Sequence, residues 1–386
     1  MSEWKEYKLE DLTIDGKGSY GIAASAIEFD ASKYTYLRIT DINDDGTINK
    51  NGLKSVDDVN ASNYLLRPND IVFARTGASV GRSYFYDGKD GEFVYAGFLI
   101  KFSIDPNKVN PKILKYYTHS QPYYDWILSV DNGATRGNIN AQTYSSMPII
   151  LPDRNRQDKI VSILSSLDDK IDLLHRENKT LEAMAETLFR QWFIEEAKED
   201  WKEVPLTKIA NFLNGLPCQK YPPKNNIEKL PVLKIRELSN GIGKDCDWAT
   251  TDIANEYIVS NGDVIFAWSA SLMVKIWNGE NCILNQHLFK VTSDKYPKWF
   301  YYFWCKYHLD EFITIAQSHA TTMGHIKRKD LDSAIILLPT DIELEIMNSK
   351  IENIFEKIEN NNNEIQTLIQ TRDSLLPKLM SGEIKV

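Results

Sequence analysis

The chain has 386 residues, which is enough for two globular domains. It is 42% hydrophobic and 26% charged, a composition that excludes a disordered protein. Its net charge of −9 excludes a strongly basic phosphate-binding protein, so contact with DNA would need partners that neutralise part of the DNA backbone. No apolar run is long enough to span a membrane, and without a signal peptide the chain is expected to be cytoplasmic.

Residues 1–153 are predicted to form a first globular domain of short strands and polar loops. Apolar runs predict the strands, at residues 34–42, 71–74, 84–86 and 93–102. The loop at residues 75–82 is small and polar, and its glycines would let the backbone approach a ligand closely. Residues 111–130 are predicted to be helical, with aromatic side chains that are more often core than base-stacking surfaces. A second polar loop follows at residues 132–140.

Residues 154–198 are predicted to form one long helix that begins after Pro152. Its apolar residues alternate in steps of three and four. This 3.5-residue period is typical of a coiled-coil seam. The alternative is a single long helix that packs against its own domain.

The rest of the chain repeats this plan. Residues 199–340 are predicted to form the second globular domain, and residues 341–386 a second long helix. Adding 187 to a residue number of the first half gives the matching residue of the second half, so Ile160 matches Met347 and Leu181 matches Leu368. A repeat of this length indicates two structural units and not a solenoid.

The predicted fold class is α+β: two globular mixed α/β domains in tandem, separated by two long helices that form an antiparallel coiled coil with pseudo-two-fold symmetry. The helices would run antiparallel because the two ends of a domain usually lie close together. Placing Asn178 opposite Asn361 fixes the register, since a buried amide pair specifies one alignment. In this register only Leu167 faces an unsuitable residue, Arg372. The predicted seam consists of Leu164, Leu167, Ile171, Leu174, Asn178, Leu181, Leu188, Ile351, Ile354, Ile358, Asn361, Ile365, Leu368 and Leu375.

The two domains carry their loops at matching positions of the repeat, but the loop side chains differ. This difference is expected of two surfaces that read different DNA sequences. Arg, Asn and Gln can form paired hydrogen bonds with base edges, and Lys and Ser can hold phosphates. Solvated loops without a ligand are the alternative. The candidate DNA contacts are Arg75, Thr76, Ser79, Arg82, Arg136, Asn138 and Asn140 in the first domain, and Lys234, Arg236, Ser269, Ser271, Lys275, His325, Lys327 and Arg328 in the second. Lys234 and Arg236 are expected on an early strand, and His287 on a later one.

Enzyme motifs are weak in this sequence. It contains no phosphate-binding glycine loop and no Asn/Asp-Pro-Pro-aromatic tetrapeptide of amino-methyltransferases. Asp153, Asp168 and Lys170 follow a nuclease-like pattern, but a long helix would not bring them to one metal ion. The four cysteines lack Cys-x-x-Cys spacing and are predicted to be reduced, buried thiols and not zinc ligands.

The chain resembles the specificity subunit of type I restriction–modification systems over essentially its full length. The resemblance rests on the two halves with their proline turns, on Arg156-Gln157-Asp158-Lys159-Ile160-Val161, and on the ending Leu375-Leu376-Pro377-Lys378-Leu379-Met380-Ser381-Gly382-Glu383-Ile384. It implies two target recognition domains, each reading half of a bipartite double-stranded DNA site. It also implies helices that space the domains and dock two modification (methyltransferase) subunits, with restriction (translocase–endonuclease) subunits joining the complex. The subunit itself would be non-catalytic and without a cofactor, because S-adenosylmethionine, ATP and Mg²⁺ would belong to its partners.

Two other hypotheses predict different behaviour. An adaptor or scaffold with a coiled-coil spacer, whose loops bind protein, would show no dependence on DNA even with partners present. An enzyme that uses Asp153, Asp168 and Lys170 would lose metal-dependent cleavage when these residues are changed to alanine.

Overall fold

The computed structural model describes residues 4–130, 137–243, 245–318 and 324–386. The chain divides into two compact units. Unit 1 comprises Met1–Lys170 together with Leu368–Val386, and unit 2 comprises Ile171–Thr367. Both long helices cross this division, so each helix contributes one part to each unit. The domain boundaries predicted from the sequence remain predictions.

The two long helices are the longest elements of the fold. The first long helix spans Arg154–Arg190 and continues into a π-helical turn at Gln191–Glu195, and the second long helix spans Asp341–Ser381. Each begins two residues after a proline, at Pro152 or Pro339, as the repeated turns predict. No helix in the described part of the chain is both long enough and apolar enough to cross a bilayer.

Among its described residues, unit 1 contains three sheets and three short α-helices besides its parts of the two long helices. A two-stranded antiparallel sheet pairs Lys5–Lys8 with Pro148–Leu151. An antiparallel sheet has the strand order Ser19–Tyr20, Leu99–Ser103, Asp70–Ala74 and Ser83–Tyr86. A mixed sheet has the order Ala26–Ile27, Lys54–Val56, Tyr34–Leu37 and Phe93–Tyr95, with its last pair parallel. The short helices are Lys112–Tyr117, Gln121–Val130 and Ala141–Ser145.

Unit 2 repeats most of this topology, but its mixed sheet has a different fourth strand, at the other edge. Its two-stranded sheet pairs Lys202–Pro205 with Ile335–Leu338. Its antiparallel sheet has the order Asn211–Asn214, Leu288–Thr292, Val264–Ala267 and Met273–Ile276. Its mixed sheet has the order Trp248–Thr250, Lys229–Leu233, Cys282–Leu284 and Ile258–Val259, with the middle pair parallel. Its shorter helices are Ile235–Asn240, Lys298–Tyr307, Leu309–Ser318 and Arg328–Ser333.

Some predicted elements are shorter than the apolar runs suggested. The run at residues 93–102 is two strands, because the chain leaves the mixed sheet after Tyr95 and enters the antiparallel sheet at Leu99. The run at 34–42 ends as a strand at Leu37 and continues as a 3-10 turn, and the helical run at 111–130 is two helices. The four cysteines are free and buried, as predicted.

Within unit 2 the two long helices run antiparallel to each other. As residue numbers rise along the first long helix and the turn that follows it, the numbers of the contacting residues fall. Asn361 Nδ2 donates to Asn178 Oδ1 at 2.8 Å, and Lys350 Nζ lies 6.0 Å from the centre of the Trp192 ring. Asn178 Nδ2 also donates to Asn362 Oδ1 at 2.7 Å. The amide pair that defined the predicted register is therefore in contact, and all fourteen predicted seam residues are buried or half-buried.

Candidate nucleic-acid interface

In unit 1 three segments meet where the central strand Asp70–Ala74 ends. Arg75 N donates to Phe98 O at 3.1 Å, and Ile139 N donates to Arg75 O at 2.9 Å. Gly77 N donates to Gly137 O at 3.3 Å, and Gly77 has a φ of 72°, which glycine adopts without strain. These backbone bonds fix the positions of the side chains that the segments carry. We call Tyr20, Arg75, Phe98 and Asn138 the first loop cluster.

Unit 2 builds the same backbone frame from different residues. Trp268 N donates to His287 O at 3.3 Å, and Ile326 N donates to Trp268 O at 3.1 Å. Ala270 N donates to Gly324 O at 2.9 Å, in the position that Gly77 occupies in unit 1. Ala270 keeps the left-handed turn with a φ of 56°, although a side chain makes that conformation unfavourable.

The second loop cluster consists of Asn214, Trp268, Ser269, His287 and His325. Trp268 Nε1 donates to Asn214 Oδ1 at 3.1 Å, and the Trp268 ring centre lies 5.9 Å from that of His287 and 6.3 Å from that of His325. The Ser269 hydroxyl is hydrogen-bonded to His287 Nδ1 at 3.1 Å. This cluster is therefore aromatic and carries no permanent charge.

The first loop cluster is cationic. The Arg75 guanidinium carbon lies 5.2 Å from the centre of the Tyr20 ring and 5.9 Å from the centre of the Phe98 ring, distances at which cation–π attraction acts. Arg75 Nη1 donates to Asn138 Oδ1 at 3.0 Å. The Tyr20 hydroxyl accepts from Ala141 N at 3.1 Å, which holds the ring in place.

Five of the predicted DNA contacts lie in the two backbone frames: Arg75, Thr76, Asn138, Ser269 and His325. Thr76 forms a β-bridge with Asn138 beside Arg75, and Ser269 forms the equivalent bridge with His325. Thr76 is half-buried and Ser269 is buried. The repeat places both pairs at equivalent backbone positions, so the sequence alignment of the two loops is reproduced in three dimensions.

Other predicted contacts of unit 1 have structural partners. Arg82 Nε donates to Asp44 Oδ1 at 2.7 Å, and Arg82 Nη1 donates to Ile42 O at 3.1 Å. Ser79 is buried, and Asn140 caps the helix Ala141–Ser145 by accepting from Thr143 N at 2.8 Å. Arg136 lies outside the described residues. Arg82 and Asn140 therefore stabilise the loops through these bonds.

Several predicted contacts of unit 2 also face protein groups. Lys234 and Arg236 lie beyond their strand, which ends at Leu233, so the expectation that they sit on it was wrong. The chain turns into the helix Ile235–Asn240 there; Lys234 forms an ion pair with Asp247, and Arg236 Nη2 lies 2.7 Å from Glu237 Oε1.

The other predicted DNA contacts of unit 2 differ from one another in exposure. Lys275 Nζ donates to Leu238 O at 3.2 Å and to Ser239 O at 3.3 Å, and burial lowers the pKa of this amine. Ser271, Lys327 and Arg328 are exposed. The exposed trio therefore remains accessible to a ligand, whereas Lys275 is held against the protein backbone.

Sequence reasoning missed Tyr20 and Phe98, and it placed His287 on a strand. His287 lies between the strands Cys282–Leu284 and Leu288–Thr292, where the chain changes sheets. Phe98 occupies the same place in unit 1 and is 56% exposed, and Tyr20 is 44% exposed. A sequence signal for two of these residues was available. Phe98 directly precedes the buried Leu99, and His287 directly precedes its counterpart Leu288, at matched points of the repeat.

The Asp168 carboxylate is held by two cationic side chains and a tyrosine. Its carboxylate lies 2.7 Å from Lys115 Nζ and 3.2 Å from Arg372 Nη1, and it accepts from the Tyr116 hydroxyl at 3.0 Å. Two cations therefore occupy the oxygens that a metal ion would need. Across the described ranges, no three His, Cys, Asp or Glu side chains converge to hold a metal ion. The ion pair with Asp168 also accommodates Arg372, which the predicted register places opposite the seam residue Leu167.

The sequence profile of the family described as "Type I restriction modification DNA specificity domain" matches residues 1–183 and 198–371, one copy in each half of the chain. The chain belongs to this type I restriction–modification specificity family. It is the DNA-specificity component of such a system and not a catalytic one.

Similar proteins agree in length and fold. The chain is 24% identical to the MjaIX specificity subunit of Methanocaldococcus jannaschii, over 73% of this chain and 71% of that protein. It is 23% identical to the HindI specificity subunit of Haemophilus influenzae over the whole of both proteins. The crystal structure of a type I S subunit from M. genitalium aligns with a TM-score of 0.52 at 15% identity, covering 98% of this chain and 96% of that one. This last likeness supports the tandem α+β fold.

Proposed function

We propose that each unit of this specificity subunit reads one half of a bipartite double-stranded DNA target through its loop cluster. The observation that carries the proposal is one backbone frame presenting two different sets of side chains. Arg75 and Asn138 in the first loop cluster can bond to base edges, whereas Trp268 and His325 in the second offer aromatic surface and single donors or acceptors. Two such surfaces would read two different sequences.

The proposal assigns the long helices to partner binding and to spacing. Residues 154–199 and 341–386 carry 13 Lys and Arg against 19 Asp and Glu, a balance that disfavours binding to DNA phosphates. Their exposed faces would dock two methyltransferase subunits, and restriction subunits would join the larger complex. The number of residues in each helix would set the gap between the two half-sites.

The partners would also supply the chemistry. S-adenosylmethionine would bind the methyltransferase subunits, and ATP and Mg²⁺ the restriction subunits. They would likewise supply positive charge that this acidic chain lacks, so the chain alone would bind DNA weakly. Such a complex would act on the chromosome in the cytoplasm.

Co-expression with a type I methyltransferase subunit tests the proposal. Methylated adenines are then mapped across the genome with the chain present and with the chain deleted. We expect one two-part motif with a fixed gap, which disappears when the chain is deleted. Methylation that follows the same motif without this chain would overturn the proposal.

A further inference from the structure

Arg75 is held in one orientation at the end of a buried strand. The strand Asp70–Ala74 is fully buried, and its end fixes the Arg75 backbone through bonds to Phe98 and Ile139. The guanidinium then lies within cation–π distance of two exposed aromatic rings. Since the rings restrict a side chain that would otherwise sample many rotamers, the arginine is organised before any ligand arrives.

The donors of Arg75 are only partly used within the protein. A guanidinium has five N–H donors, and Asn138 accepts one of them, from Nη1. Nε is buried and has no hydrogen-bond acceptor among the described residues. No carboxylate in the described part of the chain forms an ion pair with Arg75, in contrast to Arg82 with Asp44 and Arg236 with Glu237. The terminal nitrogens therefore retain donors for a ligand with two neighbouring acceptors.

We infer that Arg75 is a specificity-determining residue that reads a guanine in the half-site of unit 1; this inference rests on the proposed function. In the major groove guanine presents two acceptors, N7 and O6, at a spacing that matches the arginine fork. A fixed guanidinium fork could also pair with a phosphate, but a phosphate contact carries no sequence information, so base preference separates the two. The equivalent position of unit 2 is Trp268, whose one indole donor is bonded to Asn214. The other half-site therefore has no guanine read from this position.

The test uses the full chain in complex with its methyltransferase partner, and the DNA probe is a set of duplexes that carry every single-base change in the mapped motif. Arg75→Ala, Arg75→Gln and Arg75→Lys are compared with Arg67→Gln. Arg67 is an exposed arginine three residues before the other end of the same strand, so the control removes the same charge from the same unit. Hydrogen exchange of the strand Asp70–Ala74 verifies that each variant is folded.

We expect Arg75→Ala to reduce discrimination at one guanine of one half-site by about 5- to 100-fold and to leave the other half-site unchanged. Arg75→Gln is expected to shift the preference at that position toward adenine, because glutamine matches the N6 and N7 groups of adenine. Arg67→Gln should leave the motif unchanged.

Two results would overturn the inference. One is a uniform loss of affinity for all duplexes with unchanged base preference, which marks a phosphate contact. The other is an unaltered motif in folded Arg75→Ala. In both cases the unaltered complex still shows its two-part motif. Absence of any motif in the unaltered complex would instead refute the proposed function.

Discussion

The charge cluster around Asp168 should be a main determinant of the stability of unit 1. Asp168→Asn keeps the size of the side chain but removes the charge that Lys115 and Arg372 share. Breaking a fully buried ion pair costs about 3–5 kcal/mol. Asp168 is 16% exposed and Arg372 25%, but Lys115 is 40% exposed and is partly screened by water. We therefore expect the free energy of unfolding of unit 1 to fall by about 2–3 kcal/mol.

The neighbouring residue provides a matched control. Asp169 forms an ion pair with Lys89 at 2.7 Å, but both side chains are 58% exposed. Asp169→Asn should therefore cost less than about 1 kcal/mol. Amide hydrogen exchange of the strands Asp70–Ala74 and Leu99–Ser103 measures the opening of unit 1 in the full chain. Equal effects of the two substitutions would refute the reasoning.

The effect of Asp168→Asn should also depend on pH. Burial raises the pKa of Asp168, but Lys115 and Arg372 outweigh burial and lower the pKa overall. A carboxyl group with a lowered folded pKa stabilises above its unfolded value of about 3.9, and it loses that contribution as pH falls through the folded pKa. The difference between the unaltered chain and Asp168→Asn should be constant near neutral pH and shrink below about pH 4. A difference that grows on acidification would contradict this assignment.

Other predictions concern unit 2 and the thiols. Asn361→Leu should destabilise the chain by about 1–3 kcal/mol in urea unfolding, because it removes the donor to Asn178 Oδ1 while Asn178 Nδ2 keeps its bond to Asn362. Adding Asn178→Leu should recover part of the loss, and no recovery would contradict the pairing. A Cβ on Gly215 would meet a backbone oxygen at 2.2 Å, whereas a Cβ on Gly243 would meet no atom of the described residues within 4 Å. Gly215→Ala should therefore lower the melting temperature and Gly243→Ala should not. Burial raises the pKa of all four thiols, so a thiol reagent at neutral pH should label them only after unfolding; rapid labelling of the native chain would oppose their burial.

The duplicated fold was predictable because apolar patterns repeat at matched places. Buried strands such as Asp70–Ala74 and Val264–Ala267 follow from short apolar runs, and most of the strand order repeats because the runs recur in the same order. The start of each long helix was predictable from the proline turn that precedes it. The breaks within runs were not predictable, since a chain that passes from one sheet to the next stays apolar on both sides of the break.

The candidate site was only partly predictable. Arg75 and Asn138 were found from loop composition, but the rings beside Arg75 come from segments distant in sequence, at Tyr20 and Phe98. Loop composition also selected Arg82, although this side chain is bound to Asp44. Residue type states what a side chain can bond to, whereas tertiary packing decides which of those bonds the protein itself already makes.

The claim that the two units read DNA independently is tested most directly by determining the recognition motif of a chimaera. Residues 199–340 are replaced by the second globular domain of the Haemophilus influenzae relative, and methylated adenines are mapped for the complex with the methyltransferase subunit. Two independent reading surfaces predict that one half of the motif changes while the other half and the gap are retained. A motif that stays the same in both halves, or changes in both, would contradict the account.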